Sequence, residues 1–246
     1  MNQMRLIVDP PASGSWNMAV DEAILRSAGD LDMPTLRFYL WSEPTLSLGY
    51  FQKYEDRTQH PASQDCVCVR RASGGGAILH DQELTYSFIA PVADSRASHV
   101  TAWFDVFHES LISVLQGWGI EARLSGNPPP KGAPEPFLCF QRRHEVDVVV
   151  NGYKVCGSAQ RRHQVAILQH GSVLLQRSVA APELPGLENL SSQEISPPAL
   201  IQAWGERLKM NFSTSYVDSP LTEQEIALAN QIEQDKFAAA AWTQKR

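Results

Sequence analysis

The segment from Leu84 to Ala90 alternates almost without a break: Leu84, Tyr86 and Phe88 are apolar or aromatic, while Thr85 and Ser87 are polar. A period of two sends successive side chains to opposite faces of a β-strand and does not fit the 3.6-residue period of a helix. Residues 146–156 and 165–175 are two more such runs, and the first turns at Asn151-Gly152, the dipeptide favoured at the tip of a tight hairpin. A shorter alternation, "CVCVR", occupies residues 66–70. Strands joined by tight turns pair antiparallel, so this chain is bound to build a largely antiparallel sheet.

Helical signals surround the strands. Residues 15–28 place Trp16, Val20, Ala23, Ile24 and Ser27 on one face, with Gly29 as a stop. Residues 101–118 carry Thr101 as N-cap and a stripe of Trp103, Phe107, Leu111, Val114 and Trp118, ended by Gly117 and Gly119. Ser196-Pro197 reads as the N-cap and first position of a helix bearing Leu200, Trp204 and Leu208. Thr222 and Glu225 form a capping box for a last helix reaching about Trp242. The proline-rich stretch at residues 125–137 predicts an irregular connection. Helix, strands, helix, hairpins, helices is an α+β order: a largely antiparallel mixed sheet flanked by helices, with no repeating βα unit.

Composition narrows the class of protein. The first ten residues show no secretory pattern, and no run approaches the roughly 18 apolar residues of a membrane span. The four cysteines, Cys66, Cys68, Cys139 and Cys156, have neither disulfide-framework nor zinc spacing, so no metal site is expected and a cytoplasmic protein with free thiols is. A net charge of −6 argues against general nucleic-acid binding. The arginines nevertheless come in pairs, Arg70-Arg71, Arg142-Arg143 and Arg161-Arg162, and predict a local anion-attracting surface.

Four groups carry potential chemistry. In "RRASGGGAILH", Gly74, Gly75 and Gly76 match neither the dinucleotide nor the P-loop spacing. Flanked by Arg71 and His80, they read as a loop whose backbone approaches a ligand closely, beyond the tight turn that two glycines would explain. In "NGYKVCGSAQRR", Lys154 is followed by the small residues Gly157, Ser158 and Ala159; on an edge strand it would be a solvated charge, and beside that space it can reach a carbonyl or phosphate oxygen. In "LQHGSVLL", His170, Gly171 and Ser172 interrupt an apolar strand, with a satisfied core histidine as the plainer alternative. Cys139 emerges from the proline segment beside Arg142 and Arg143, cations that favour a thiolate; Cys156, two residues from Lys154 and on the same face, is a rival thiol.

In this order the four groups resemble the lipoate–protein ligase A, octanoyltransferase and biotin–protein ligase superfamily. "RRASGGGAILHDQELTYSF" is similar to its arginine-and-glycine signature, "GYKVCGSAQRR" to its lysine strand and "LQHGSVLL" to the strand that follows. "WNMAVDEAIL", "LSLGYFQ" and the ending from "LTEQEIALANQ" extend the resemblance over most of the chain. It implies a single biotin/lipoate-ligase-like catalytic domain over residues 1–246. "ELTYS" together with the upstream "CF" resembles the cysteine-dependent octanoyltransferase branch, although "CFQRRH" stands where relatives often have "CFxSPS". The resemblance implies Cys139 as acyl-accepting nucleophile and Lys154 as the holder of the acyl carbonyl. It places Arg71, Gly74, Gly75, Gly76, Ala77, His80, Gly157, Ser158, Ala159, His170, Gly171 and Ser172 around the substrate. The implied donor is an octanoyl-acyl carrier protein, and the acceptor is a lipoyl domain or a glycine-cleavage H-type protein. No cofactor is implied, and neither nucleic acid nor membrane. The alternatives are an ATP- and Mg-dependent lipoate ligase acting through lipoyl-AMP, and a non-catalytic acyl binder.

Overall fold

The computed structural model describes residues 3–29, 33–92, 101–126, 135–164 and 166–246. The alternating run becomes the middle of the architecture. Strand β6 (Glu83–Pro91) lies between β2 (Thr35–Tyr39) and β10 (Ala166–Leu174), antiparallel to both. Beyond β10 come β9 (Tyr153–His163), β8 (Val148–Val150) and β7 (Ala122–Leu124), each antiparallel to the last; beyond β2 come β1 (Gln3–Val8) and β11 (Ser215–Asp218), paired in parallel. The eight-stranded sheet runs β11-β1-β2-β6-β10-β9-β8-β7. Asn151 and Gly152 both adopt positive φ, 48° and 81°, and close the predicted hairpin between β8 and β9. A second sheet, β4-β3-β5, comprises β3 (Thr45–Leu48), β4 (Val67–Arg70) and β5 (Ile78–His80).

The alternation in β6 explains the layers. Leu84, Tyr86, Phe88 and Ala90 face helices α2 (Ala102–Gly117) and α4 (Pro197–Asn211), where Phe107, Leu111, Trp204 and Leu208 complete one core. Ile89 faces the other way, towards helix α1 (Gly14–Ser27), whose Val20, Ala23 and Ile24 pack with Leu168 and with Ala229 and Ile232 of α5 (Glu223–Ile232). A third cluster, containing Leu46, Leu48, Leu79, Leu138, Phe140 and Leu174, joins the small sheet to the large one. Short helix α3 (Leu187–Ser191) precedes α4. No helix of the described residues is long and apolar enough to cross a membrane.

The structure departs from the sequence reading in several places. Helix α1 is buried well beyond its predicted stripe: Met18, Ala19, Asp21, Glu22 and Leu25 are also enclosed, because the sheet and α5 both cover it. Thr101 takes the N-cap position of α2 with helical backbone and makes no side-chain cap bond. Ser196 and Thr222 cap as expected, through Ala199 N–H and Glu225 N–H. The last helix is not continuous: α5 passes into a π turn at Glu233–Phe237, and a separate turn of helix, α6 (Ala240–Thr243), follows. That break lets Trp242 reach back, its indole N–H donating to the Arg70 carbonyl at 2.8 Å. Of the proline-rich connection, residues 127–134 lie outside the described set.

Candidate active site

A 3-10 turn and strand β9 bring Cys139 and Lys154 together. After Pro136 the chain forms a parallel bridge between Leu138 and Ala77: Ala77 N–H donates to the Phe137 carbonyl at 3.0 Å, and Cys139 N–H to the Ala77 carbonyl at 2.7 Å. Buried Leu138 and Phe140 anchor the single 3-10 turn Cys139–Gln141 from both sides, leaving the Cys139 thiol half-buried at a cavity wall. Ala77, placed near the substrate by resemblance, thus holds the cysteine by its backbone.

Lys154 projects from β9, which is an interior strand and not an edge. A register shift between Val148 and Val149 pairs Val148 with Cys156 and Val149 with Lys154, so one extra residue of β9 bulges. The bulge separates the two side chains that an unbroken strand would put on one face. Lys154 enters the cavity, whereas Cys156 is fully buried in the α2–α4 core, where burial pushes its thiol far up. Cys156 thus does not line the cavity, whereas Cys139 does and its Sγ stands 4.0 Å from Lys154 Nζ. Lys154 also pairs with Asp147 at 2.8 Å, both side chains being about 95% buried (5% and 4% exposed). Asp147 is held in turn by His144 N–H at 2.7 Å, and Nζ lies 5.5 Å from the centre of the Phe140 ring.

The glycine loop closes another wall, for reasons the sequence only half revealed. Arg71 is buried. Its guanidinium donates to the carbonyls of Ser47 (2.9 Å), Gly74 (2.7 Å) and Gly76 (2.6 Å), folding the loop around itself. Burial draws this guanidinium down to about 10, opposed by Cys139 and reinforced by Arg142. Gly75 has φ +92°, and a Cβ on Gly76 would stand 2.6 Å from Arg142 Nε, so the loop's missing side chains make room for arginines as well as for a ligand. Arg142 anchors the cysteine turn, through the Pro136 carbonyl at 2.7 Å and an ion pair with Glu135.

The predicted arginine surface is only partly realised. Arg70 and Arg71 are both buried and spent on backbone carbonyls, Arg70 on Gly49, Gln52 and Thr243. A buried guanidinium already committed to backbone carbonyls is not available to an external partner. Arg142 and Arg143 stand at the cavity mouth and Arg162 is exposed.

The cavity encloses about 970 Å³. Arg71, Gly74, Gly75, Gly76, His80, Cys139, Lys154, Gly157, Ser158, Ala159, His170, Gly171 and Ser172 all line it. Strand β10 runs unbroken through His170, Gly171 and Ser172, opposite Ala159, Ser158 and Gly157 of β9. His170 Nε2 lies 2.6 Å from Ser73 Oγ, and enclosure by protein pushes the ring down to about 4, with Asp21 opposing and Arg71 and His80 reinforcing. His80 is buried, stacked on Trp41 at 3.8 Å between ring centres, with Nδ1 2.7 Å from Glu83 Oε1. Tyr39 at the same end is oriented by Asp21, which also accepts from Arg37 and Ser87.

Reasoning from the sequence missed Asp147. Asp147 opens a valine run that otherwise reads as strand, a position where a carboxylate is unusual.

The lipoyl protein ligase A/B catalytic domain family matches residues 13–184. Among curated proteins, the chain is 35% identical to octanoyltransferase LipM of Brevibacillus brevis and 32% identical to that of Clostridioides difficile, each over 100% of both chains. It is 34% identical to octanoyltransferase LipM of Halalkalibacterium halodurans over 93% of this chain and 84% of the relative. Among solved structures, lipoate-protein ligase A bound with ATP superposes with a TM-score of 0.79 at 23% identity, covering 99% of each chain. The bi-partite lipoate protein ligase of Thermoplasma acidophilum superposes at 0.77 and 22% identity, covering 99% of this chain and 97% of that one. At such identities the structural likeness speaks for the fold alone.

Proposed function

Since the chain belongs to the lipoyl protein ligase A/B catalytic-domain family, we propose that it is an octanoyltransferase: it moves an octanoyl group from an acyl carrier protein thioester to a lysine of a lipoyl-accepting protein. The observation that carries this reading is the Cys139–Lys154 pair, 4.0 Å apart on the wall of a cavity of about 970 Å³. A thiol beside a buried cation suits covalent acyl transfer from a thioester, and the full-length relatives named octanoyltransferase agree with it.

In the first half-reaction Cys139 Sγ attacks the thioester carbonyl. The new C–S bond replaces that to the carrier, whose thiol leaves with the cysteine's proton, so the exchange is close to thermoneutral. Lys154 Nζ, aimed by Asp147, faces the place where negative charge develops on the carbonyl oxygen. In the second half-reaction the acceptor lysine attacks the enzyme thioester, an amide forms, and the Cys139 thiol is released. The amide is far more stable than the thioester, and that difference drives the cycle. Two half-reactions through one acyl-enzyme predict ping-pong kinetics. The chain's methylenes lie against Met18, Ile78 and Phe140, each buried CH₂ contributing about 0.8 kcal/mol.

The decisive experiment is intact mass after incubation with octanoyl-acyl carrier protein, without nucleotide, for the wild type, Cys139→Ser and Cys156→Ser. The adduct should form on the wild type and on Cys156→Ser, with no octanoyl thioester on Cys139→Ser. A Cys139→Ala protein that makes lipoyl-AMP at the wild-type rate would favour an ATP-dependent ligase instead.

A further inference from the structure

The glycine loop has a second, outward side. Arg161 Nη1 donates to the Ala72 carbonyl at 2.8 Å, and Tyr50 N–H donates to the Ser73 carbonyl at 2.9 Å. The Phe51 ring lies 3.9 Å from the point where a Cβ on Gly74 would stand. Three consecutive loop residues are thus each met by one of these groups, and Gly74 also lines the cavity. Phe51 is 70% exposed, a large aromatic ring left in water beside the site.

Cations gather on the same rings. Lys245 Nζ lies 3.6 Å from the centre of the Tyr50 ring and 3.3 Å from that of Trp242. The Arg246 guanidinium stands 5.4 Å from both Tyr50 and Phe51, and that of Arg161 stands 5.9 Å from Tyr50. Backbone bonds fix the cluster in place: Tyr54 N–H donates to the Arg246 carbonyl at 2.7 Å, and Arg70 donates to that of Thr243 at 2.8 Å. Among the described residues no ion pair includes Arg161, Lys245 or Arg246. Three cations without a carboxylate side chain to neutralise them therefore share one patch, on a chain whose net charge is −6.

We propose that this face, formed by Tyr50, Phe51, Arg161, Lys245 and Arg246, docks the acidic carrier protein that delivers the acyl group. The inference rests on the octanoyl-transfer reading. Carrier proteins and lipoyl domains are both typically acidic, and arm length separates them. The acceptor presents its amine on the four methylenes of a lysine, so its backbone has to come up to the cavity mouth. The carrier presents its thioester on a phosphopantetheine arm several times longer. That arm still passes Arg143 at the mouth, while the body of the carrier stands to one side. The patch is close enough for this. Gly74 is three residues from Ala77, at most about 11 Å of chain, and the Ala77 carbonyl accepts from Cys139 N–H. The cations steer the acidic partner, and Phe51 supplies the aromatic contact typical of an interface centre.

The test measures octanoyl-enzyme formation by intact mass with two donors: octanoyl-acyl carrier protein, and octanoyl-pantetheine, which lacks the protein. The variants are Phe51→Ser and the double variant Lys245→Gln, Arg246→Gln, whose side chains keep aliphatic stems on the rings. With the carrier, the second-order rate of the double variant should fall about 10-fold or more and lose most of its salt dependence; with octanoyl-pantetheine it should stay within about twofold. Phe51→Ser should slow the carrier alone and keep the salt dependence. Aminolysis of the isolated octanoyl-enzyme by a lipoyl domain should not change. Equal slowing with both donors would mean a damaged site, and slowing of aminolysis alone would give the face to the acceptor; either result overturns the proposal. So does an unchanged carrier rate, including the case in which the double variant loses binding to phosphatidylglycerol vesicles and the face belongs to a membrane. A wild type that neither donor acylates would overturn the parent reading, and the docking face with it.

Discussion

Replacing Asp147 by Asn tests how strongly the tertiary structure holds the Lys154 cation beside the Cys139 thiol. Asn keeps the size of the side chain and an oxygen for His144 N–H, so the change removes little except charge. Across the 2.8 Å separation, the Coulomb attraction lost is about 6 kcal/mol at an effective dielectric of 20. Desolvation of both ions has already offset part of it, and breaking a buried pair from one side costs about 3–5 kcal/mol net. For a chain of this size that corresponds to a fall in Tm of roughly 6–20 °C, at about 2–4 °C per kcal/mol. The assay is urea unfolding of Asp147→Asn, Lys154→Met and the double variant. Each single variant strands a buried ion and loses stability. The double variant strands none, so its loss should be smaller than the sum by roughly 3 kcal/mol. Additive losses, or a single-variant cost below about 1 kcal/mol, would refute the claim that the two side chains form one buried unit.

Three further outcomes are expected. Gly171→Ala places a methyl against Ser158, Tyr86 and, at 2.8 Å, the Gly157 carbonyl; it should cost about 1–3 kcal/mol in denaturant melts and slow acyl transfer. His170, pushed down to about 4, stays neutral in the folded protein while an unfolded-chain histidine protonates near pH 6.5; its contribution to stability is complete above that pH and lost as pH falls towards 4. Stability curves at pH 7 and pH 4.5 should therefore converge in His170→Gln relative to the wild type. Arg143→Glu, at the cavity mouth, should raise KM for an acidic acyl carrier and flatten its salt dependence, measured from steady-state rates at 50 and 300 mM salt; unchanged KM would exclude that arginine from docking.

Much of the fold was legible because it is written in local periodicity. Leu84, Tyr86 and Phe88 share a face for no reason beyond the pleat of a strand, and Asn151-Gly152 turns because both residues tolerate positive φ. The failures have equally physical sources. The helix predicted from Thr222 to Trp242 is interrupted, and Trp242 beyond the break makes an indole hydrogen bond to Arg70, some 170 residues earlier in the chain, a contact no local propensity can register. Arg70 and Arg71 look like a charged surface until the fold surrounds them with carbonyls.

By itself, then, the chain determines its elements, their faces and the residue types gathered near a ligand: the glycine loop, the lysine strand and the cysteine after the prolines. Only the tertiary structure decides which of these groups act on one another. A single bulge in β9 sends Lys154 to the cavity and Cys156, the rival thiol of the sequence reading, to the core. A backbone bridge at Ala77 carries Cys139 to within 4.0 Å of Lys154 Nζ. Protonation and charge pairing depend on burial and on neighbours distant in sequence, so Asp147 acquires its meaning only when the sheet is assembled.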